Sequence, residues 1–188
     1  MTEDKVFEQD PLWVFGYASL MWQPGFPIAE SRLATLPGFA RSFCMASIHH
    51  RGTVAAPGLV LALDSDDATT CEGLALRVEA GAEEKTIAYL RERELVSSAY
   101  VERLLPAHLR DGTKITTLAY VVDRNHTQYV PHFSLEEQAL IISKAIGGRG
   151  PNTEYLWNTA DRLKDLNLSD PDLEWLSDRV RTLVKNTA

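Results

Sequence analysis

The chain has 188 residues, of which 45% are hydrophobic, so it can bury one sizeable core, and we predict a single domain over residues 1–188. A net charge of −7 argues against nucleic acid as a partner, and no apolar run approaches the roughly 18 residues that a membrane span needs. The N-terminal residues are polar, and Cys44 and Cys71 are the two cysteines. These features predict a cytoplasmic protein with reduced, buried thiols, and they leave its oligomeric state open.

The first two thirds of the chain alternate short β-type runs with turn signals. A polar loop is expected at residues 64–67, and five or six strands at this spacing are typical of a small β-barrel or a strongly curled sheet. The clearest runs cover residues 13–17, 38–45, 59–63, 71–78 and 115–122.

Helices interrupt this pattern and then end it. Residues 83–95 contain strong helix formers without Gly or Pro. A capping-box sequence at residues 134–137 predicts a helix that stops at Gly147–Gly148, and residues 153–166 predict another. Asp170 followed by Pro171 predicts the start of a last helix that runs to about residue 185. We therefore predict an α+β fold with about six strands, which form a barrel or a strongly curled sheet, and with four helices.

The most informative segment is the small-residue corner Gly16-Tyr17-Ala18-Ser19, which directly follows an apolar strand. Because small side chains let a ligand approach the backbone, N–H groups at such a corner can bind an anion. A tight turn at the end of a core strand is the alternative interpretation.

One carboxylate falls on an apolar helix stripe. A helix turns about 100° per residue, which places Glu94 about 40° from Leu90 and about 20° from Ile87, whereas Glu92 lies about 200° from Leu90 and faces water. Burial raises the pKa of a carboxyl group toward the range useful for general acid–base catalysis. Glu94 is therefore a candidate catalytic acid, unless the helix end lets its side chain reach solvent.

Other candidate sites are weaker. His49 and His50 are neighbours, and in a strand they point to opposite faces, which is poor geometry for a metal site. Cys44 could act as a nucleophile with His50 as its base, but a buried structural thiol is the better interpretation. The glycine-rich segment 147–150 follows a helix, so a phosphate-binding loop is not expected.

The chain resembles the ChaC branch of the γ-glutamylcyclotransferases. The resemblance implies a small β-barrel with flanking helices, and cleavage of glutathione into 5-oxoproline and cysteinylglycine without cofactor or metal. The matching blocks lie in the family's order at residues 14–22, 36–44, 50–52, 57–61, 93–95, 99–100 and 150–156.

Site residues follow from the same resemblance. Glu94 falls on the catalytic glutamate of the family, and the other positions fall on its substrate-binding segments. Those positions are Tyr17, Ala18, Ser19 and Leu20 in the binding loop, Tyr100 and Tyr155 in the substrate pocket, and Arg51 in a recurrent His-Arg-Gly block.

Ala18 departs from the family pattern, which has Gly at this position. If the corner needs a positive φ there, Ala strains it by about 1 kcal/mol or more, and the methyl group could also crowd the ligand. Two alternatives therefore stay open. The enzyme could act on another γ-glutamyl amine or dipeptide, or the domain could be a weakened, γ-glutamyl-binding module.

Overall fold

The computed structural model describes residues 10–186 and has an α+β fold. Seven strands, four α-helices and one 3₁₀ turn form it. In chain order they are β1 (Trp13–Gly16), the 3₁₀ turn (Ser19–Met21), β2 (Ile28–Ser47), β3 (Gly58–Val78), α1 (Glu83–Glu94), β4 (Tyr100–Leu109), β5 (Lys114–Val122), α2 (Leu135–Ile142), β6 (Ile146–Gly147), β7 (Gly150–Pro151), α3 (Asn152–Asp165) and α4 (Pro171–Lys185).

Five strands close a mixed barrel in the order β1-β3-β2-β4-β5. Strand β1 pairs antiparallel with β3, with Trp13 opposite Arg77, and parallel with β5, with Val14 opposite Leu118. The predicted α+β barrel is confirmed, with five strands where the sequence suggested about six.

The polar segment 64–67, predicted as a loop, lies inside the 21-residue strand β3. Residues 65–67 are exposed, whereas the Asp64 side chain is only 14% exposed. The Asp66 carboxylate accepts a hydrogen bond from the Ala68 N–H at 3.0 Å. A strand that faces water tolerates such residues, so local polarity was a poor signal for a break. Strand β4 and the first ten residues of β2 were also missed.

Helix bounds were predicted well except at the end of α2, since α1, α3 and α4 end within one residue of the predicted positions. Helix α2 has the predicted capping box, in which Ser134 and Glu137 bond reciprocally, and Asp170 caps α4. However, α2 ends at Ile142, five residues before the predicted stop, because Ile146–Gly147 pairs with Gly150–Pro151 as a short hairpin.

Residue contacts divide the chain into two compact units. The first unit contains the chain up to Ala40 together with Ser65–Val121, and the second contains Arg41–Asp64 together with the chain from Val122 onward. Each has apolar side chains that are fully buried, among them Val14, Phe15, Val78 and Leu90 in the first unit and Leu59, Leu61, Ile142, Leu156 and Leu176 in the second. None of the helices within residues 10–186 is long and apolar enough to cross a membrane.

Candidate active site

The side chains of the corner after β1 bond within the first unit. Tyr17 donates its hydroxyl hydrogen to the carbonyl oxygen of Tyr120 at 3.2 Å. The Ser19 hydroxyl accepts a hydrogen bond from Arg93 Nη2 at 2.9 Å. These contacts connect the corner to β5 and to the end of α1.

The backbone of the corner forms the 3₁₀ turn. The N–H of Met21 donates to the Ala18 carbonyl at 2.9 Å, and that of Gln23 donates to the Ser19 carbonyl at 2.7 Å. The N–H groups at the start of such a turn have no acceptor within the turn itself, so they can serve a bound anion. The Leu20 side chain is buried.

Ala18 does not have the positive φ that would make alanine costly. Its φ is −142°, and the non-glycine residues with positive φ in the described chain are Ser98 and Asn167. The backbone strain considered for Ala18 from the sequence therefore does not apply, although its buried methyl group lies within the corner.

Glu94 is the last residue of α1, and its side chain is turned largely inward. Only 18% of the Glu94 side chain is exposed, whereas Glu92 is exposed. The carboxylate oxygen Oε1 lies 3.0 Å from Arg93 Nε. The buried face of α1 differs from the predicted stripe, because Thr86 and Arg93 are buried while Ile87 is half-buried.

Arg93 is a buried cation at the centre of this arrangement, and sequence reasoning missed it. Its side chain is 5% exposed. Nη1 donates to the carbonyl oxygens of Gln23 at 2.7 Å and Pro24 at 3.2 Å, and to the Tyr89 hydroxyl at 3.0 Å. Arginines in a charged helical run such as residues 91–94 are usually exposed. The only indication in the sequence that Arg93 belongs to the site was its position next to Glu94.

A second polar cluster joins β4, β5 and α1. Tyr120 donates its hydroxyl hydrogen to Glu102 Oε2 at 2.9 Å, and Arg91 donates to the same carboxylate from Nε and Nη2. Burial raises the pKa of Tyr120, and the charges of Glu102 and Glu94 raise it further, so its hydroxyl stays protonated at neutral pH. Neither Tyr120 nor Glu102 was selected from the sequence.

Glu102 remains ionised despite its environment. Burial acts to raise the pKa of Glu102, but the hydrogen bonds from Arg91 and Tyr120 outweigh it and hold this pKa below its usual value. Tyr100, one of the predicted pocket residues, begins the same strand and is half-buried.

In the second unit, Arg51 is buried beside an aromatic ring. Its side chain is 7% exposed, and Nη1 donates to the Pro151 carbonyl at 3.1 Å and to Glu154 Oε2 at 3.2 Å. The guanidinium carbon lies 5.8 Å from the centroid of the Tyr155 ring. Two predicted binding residues, Arg51 and Tyr155, are therefore in contact with each other.

The start of α3 is anchored to β3 by side chains that replace strand pairing. The Asn152 side chain accepts from the Leu59 N–H at 2.7 Å and donates to the Leu59 carbonyl at 2.8 Å. The Tyr155 hydroxyl accepts from the Leu61 N–H at 3.1 Å. These bonds satisfy backbone groups that would otherwise be buried without partners, and they orient the Tyr155 ring.

Cys44 is unsuited to nucleophilic catalysis. It is fully buried, and burial together with the charge of Asp64 raises the pKa of its thiol to about 12. Asp64 also accepts hydrogen bonds from the Tyr129 hydroxyl at 2.8 Å and from Arg124 at 2.6 Å. Since the thiolate is the nucleophilic form, this thiol is inert at neutral pH. Cys71 is also buried.

The glycine-rich segment 147–150 forms the tight turn between β6 and β7. The N–H groups of Gly148 and Arg149 donate to the carbonyl oxygens of His49 and His50, at 2.8 and 2.9 Å. These donors are therefore already used and cannot cradle a phosphate. Within residues 10–186, no three His, Cys, Asp or Glu side chains cluster as a metal site.

Comparison with known proteins gives consistent matches over most of the chain. A relative from Escherichia coli named "Glutathione-specific gamma-glutamylcyclotransferase" is 32% identical over 94% of this chain and 76% of its own length. A relative of the same name from Schizosaccharomyces pombe is 35% identical, covering 86% of this chain and 87% of its own. "Gamma-glutamylcyclotransferase 2-3" from Arabidopsis thaliana is 30% identical over 94% of this chain and 92% of its own.

The fold also matches a solved structure. The crystal structure of a yeast γ-glutamyl cyclotransferase specific to glutathione superposes with a TM-score of 0.83 at 22% identity, covering 92% of this chain and 97% of the yeast chain. The sequence model of the family described as "ChaC-like protein" matches residues 12–183. With that match over most of its length, the chain belongs to the ChaC-like protein family.

Proposed function

We propose that this protein is a lyase that cleaves glutathione into 5-oxoproline and cysteinylglycine. The names of the relatives from E. coli and S. pombe support this substrate. The single observation that carries the chemistry is the position of Glu94. Its largely buried carboxylate pairs with Arg93, and the same guanidinium holds Ser19 of the corner at 2.9 Å.

In the proposed reaction the substrate cleaves itself by ring closure. The α-amino nitrogen attacks the γ-amide carbonyl carbon, the new C–N bond closes a five-membered lactam, and the bond to the cysteinyl nitrogen breaks. The α-ammonium group is not nucleophilic until it loses a proton. Glu94 accepts protons from this nitrogen and delivers them to the departing cysteinyl nitrogen, which leaves as an ammonium group. Besides these two C–N bond changes, the steps move only protons and change no oxidation state, so they need no redox partner or metal.

Substrate positioning is assigned to the remaining residues. The N–H groups of the Tyr17-Ala18-Ser19-Leu20 segment hold the substrate α-carboxylate, which places the amine close to the γ-carbonyl. Tyr100 and Tyr155 are carried over from the resemblance as further substrate contacts. Arg51 supplies a cation for a second carboxylate, a role supported by its burial beside Tyr155.

We further propose that residues 1–188 form one domain and that the protein works in the cytoplasm as a small-molecule enzyme. A single family match over residues 12–183 supports the first point. Neither Cys44 nor Cys71 forms a disulfide in the described chain, which is compatible with a reducing compartment.

Glu94→Gln tests the mechanism. The amide cannot accept a proton, so we expect kcat to fall by about 10²–10⁴-fold while the protein stays folded. Chromatography of glutathione incubated with purified protein would measure cysteinylglycine, and circular dichroism would verify folding. Glu92→Gln, on the exposed face of the same helix, is the matched control and should keep wild-type turnover. Wild-type rates in the Glu94 variant would remove it from the mechanism.

The same assay separates the alternative substrates. Release of 5-oxoproline from other γ-glutamyl amines or dipeptides, but not from glutathione, would keep the ring closure and change the substrate. Binding of glutathione in a calorimeter without product would instead indicate a binding module.

A further inference from the structure

We propose that Arg93 is a positioning residue for the reaction. Its buried guanidinium acts as a clamp that holds the Glu94 carboxylate and residues 19–24, which begin with the last residue of the corner, in one arrangement. The kinetic part of this inference rests on the proposed function. Its structural part concerns the first unit alone and can be tested without turnover.

Every nitrogen of the Arg93 guanidinium has a partner in the described chain. Nε lies 3.0 Å from Glu94 Oε1, Nη2 donates to Ser19 Oγ, and Nη1 donates to two backbone carbonyls and to the Tyr89 hydroxyl. A planar fork with several partners restricts rotation of the side chain far more than a single ion pair does. The guanidinium is therefore a rigid support and not a free substrate cation.

The neighbours of Arg93 explain why the clamp is rigid. The Tyr89 ring lies with its centroid 6.0 Å from the guanidinium carbon, and Gly25 approaches that ring so closely that an added Cβ would lie 2.7 Å from Tyr89 Cζ. Gly25 has a φ of +79°, so the chain turns sharply just after the two carbonyls that accept from Arg93. Burial strengthens these electrostatic contacts because water cannot compete for them.

The clamp has a specific consequence for Glu94, which is the last residue of its helix. Helix ends fray, and a glutamate there has several accessible rotamers. The ion pair with Arg93 Nε, at 3.0 Å, favours one of them. A shift of this carboxylate by about 1 Å can cost about 100-fold in rate, because proton transfer depends on short distances.

Kinetics of Arg93 variants test the clamp. Arg93→Gln should lower kcat for glutathione about 100-fold, and Arg93→Lys, which keeps the charge and loses the fork, about tenfold. Arg32, which holds Asp111 at 2.6 Å in the same unit, provides the matched control, and Arg32→Gln should keep kcat within about twofold.

A double variant separates positioning from general support of the fold. If Arg93 acts through Glu94, Arg93→Gln should cost less than about threefold in kcat in a Glu94→Gln background. The full 100-fold loss in that background, or a kcat within threefold of wild type for Arg93→Gln alone, would overturn the inference.

Hydrogen exchange provides a measurement that is independent of the reaction. Release of the clamp should speed exchange of the Met21, Trp22 and Gln23 amide hydrogens by at least about tenfold in Arg93→Lys, with exchange in α3 and α4 unchanged. Unaltered exchange at these amides would refute the clamp even if the protein proved inactive on glutathione. An inactive wild-type protein with faster exchange in the variant would refute the proposed substrate and keep the clamp.

Discussion

Arg93 in the first unit and Arg51 in the second are both buried arginines beside an aromatic ring, but their hydrogen bonding differs. Arg93 donates hydrogen bonds from Nη1 and Nη2, and its Nε lies 3.0 Å from Glu94 Oε1, so all three guanidinium nitrogens have a partner. Arg51 bonds through Nη1, and within residues 10–186 its Nε and Nη2 carry no hydrogen bond. A saturated guanidinium supports its surroundings, whereas one with two remaining nitrogens can still bind a carboxylate.

The largest effect is expected at Gly25, because its substitution should displace Tyr89 and so disturb the hydrogen bonds of Arg93. Gly25→Ala places a methyl group against Tyr89 and requires alanine at a φ of +79°, so we expect the unfolding free energy to fall by about 2–4 kcal/mol, with a loss of kcat. Denaturant titration measures the first effect. Gly112→Ala is the matched control, because Gly112 has a φ of +88° and no atom within 4 Å of an added Cβ.

The control isolates the contact from the backbone effect. Gly112→Ala should cost only the left-handed strain, about 1–2 kcal/mol, and should leave kcat unchanged. Equal losses of stability and activity in the two variants would show that the Tyr89 contact contributes nothing to the support of Arg93.

Substitution of Arg51 should affect binding more than chemistry. Arg51→Gln should raise the KM for glutathione about 10–100-fold, the range for loss of a charged hydrogen bond, while kcat changes far less. Initial-rate kinetics measure both constants. Glu154→Gln removes the carboxylate partner and leaves the Arg51 cation, so its KM should stay within about threefold of wild type. A larger effect from Glu154→Gln than from Arg51→Gln would mean that Arg51 is structural, like Arg93.

The smallest effect is expected at Thr86, which shares the buried face of α1 with Arg93. Its hydroxyl oxygen is buried without a hydrogen-bond partner among the described residues. Thr86→Val should therefore leave the unfolding free energy unchanged or raise it by up to about 1 kcal/mol. Thr117→Val is the control, since the Thr117 hydroxyl donates to the Leu105 carbonyl at 3.1 Å and its loss should cost about 1 kcal/mol. Thermal or denaturant unfolding would distinguish the two, and a clear loss at Thr86 would indicate an unseen partner.

Local sequence signals predicted the elements whose causes are local. The capping box of α2 and the Asp-Pro start of α4 involve residues within one turn of each other, and both are present. The predicted end of α2 and the predicted break at residues 64–67 were wrong. The first missed the short hairpin at residues 146–151, and the second depends on strand pairing within the barrel.

The candidate site divides in the same way. The spacing of Glu94 on α1 and the small residues of the corner could be read directly, and the resemblance added Tyr100, Tyr155 and Arg51. The sequence did not identify three further polar residues of the site, Arg93, Tyr120 and Glu102. A charged or polar residue can be predicted to be buried only when its partners are known. Those partners come from other segments.

The amino-acid sequence by itself determined the family, the α+β class and the helix starts, since these depend on motif identity and on neighbouring residues. Tertiary structure alone decided that the thiol of Cys44 is inert, that Ala18 carries no left-handed strain, and that a buried arginine holds Glu94. The physical reason is that burial and hydrogen-bond partners set the charge and orientation of a polar group, and both are properties of the folded chain.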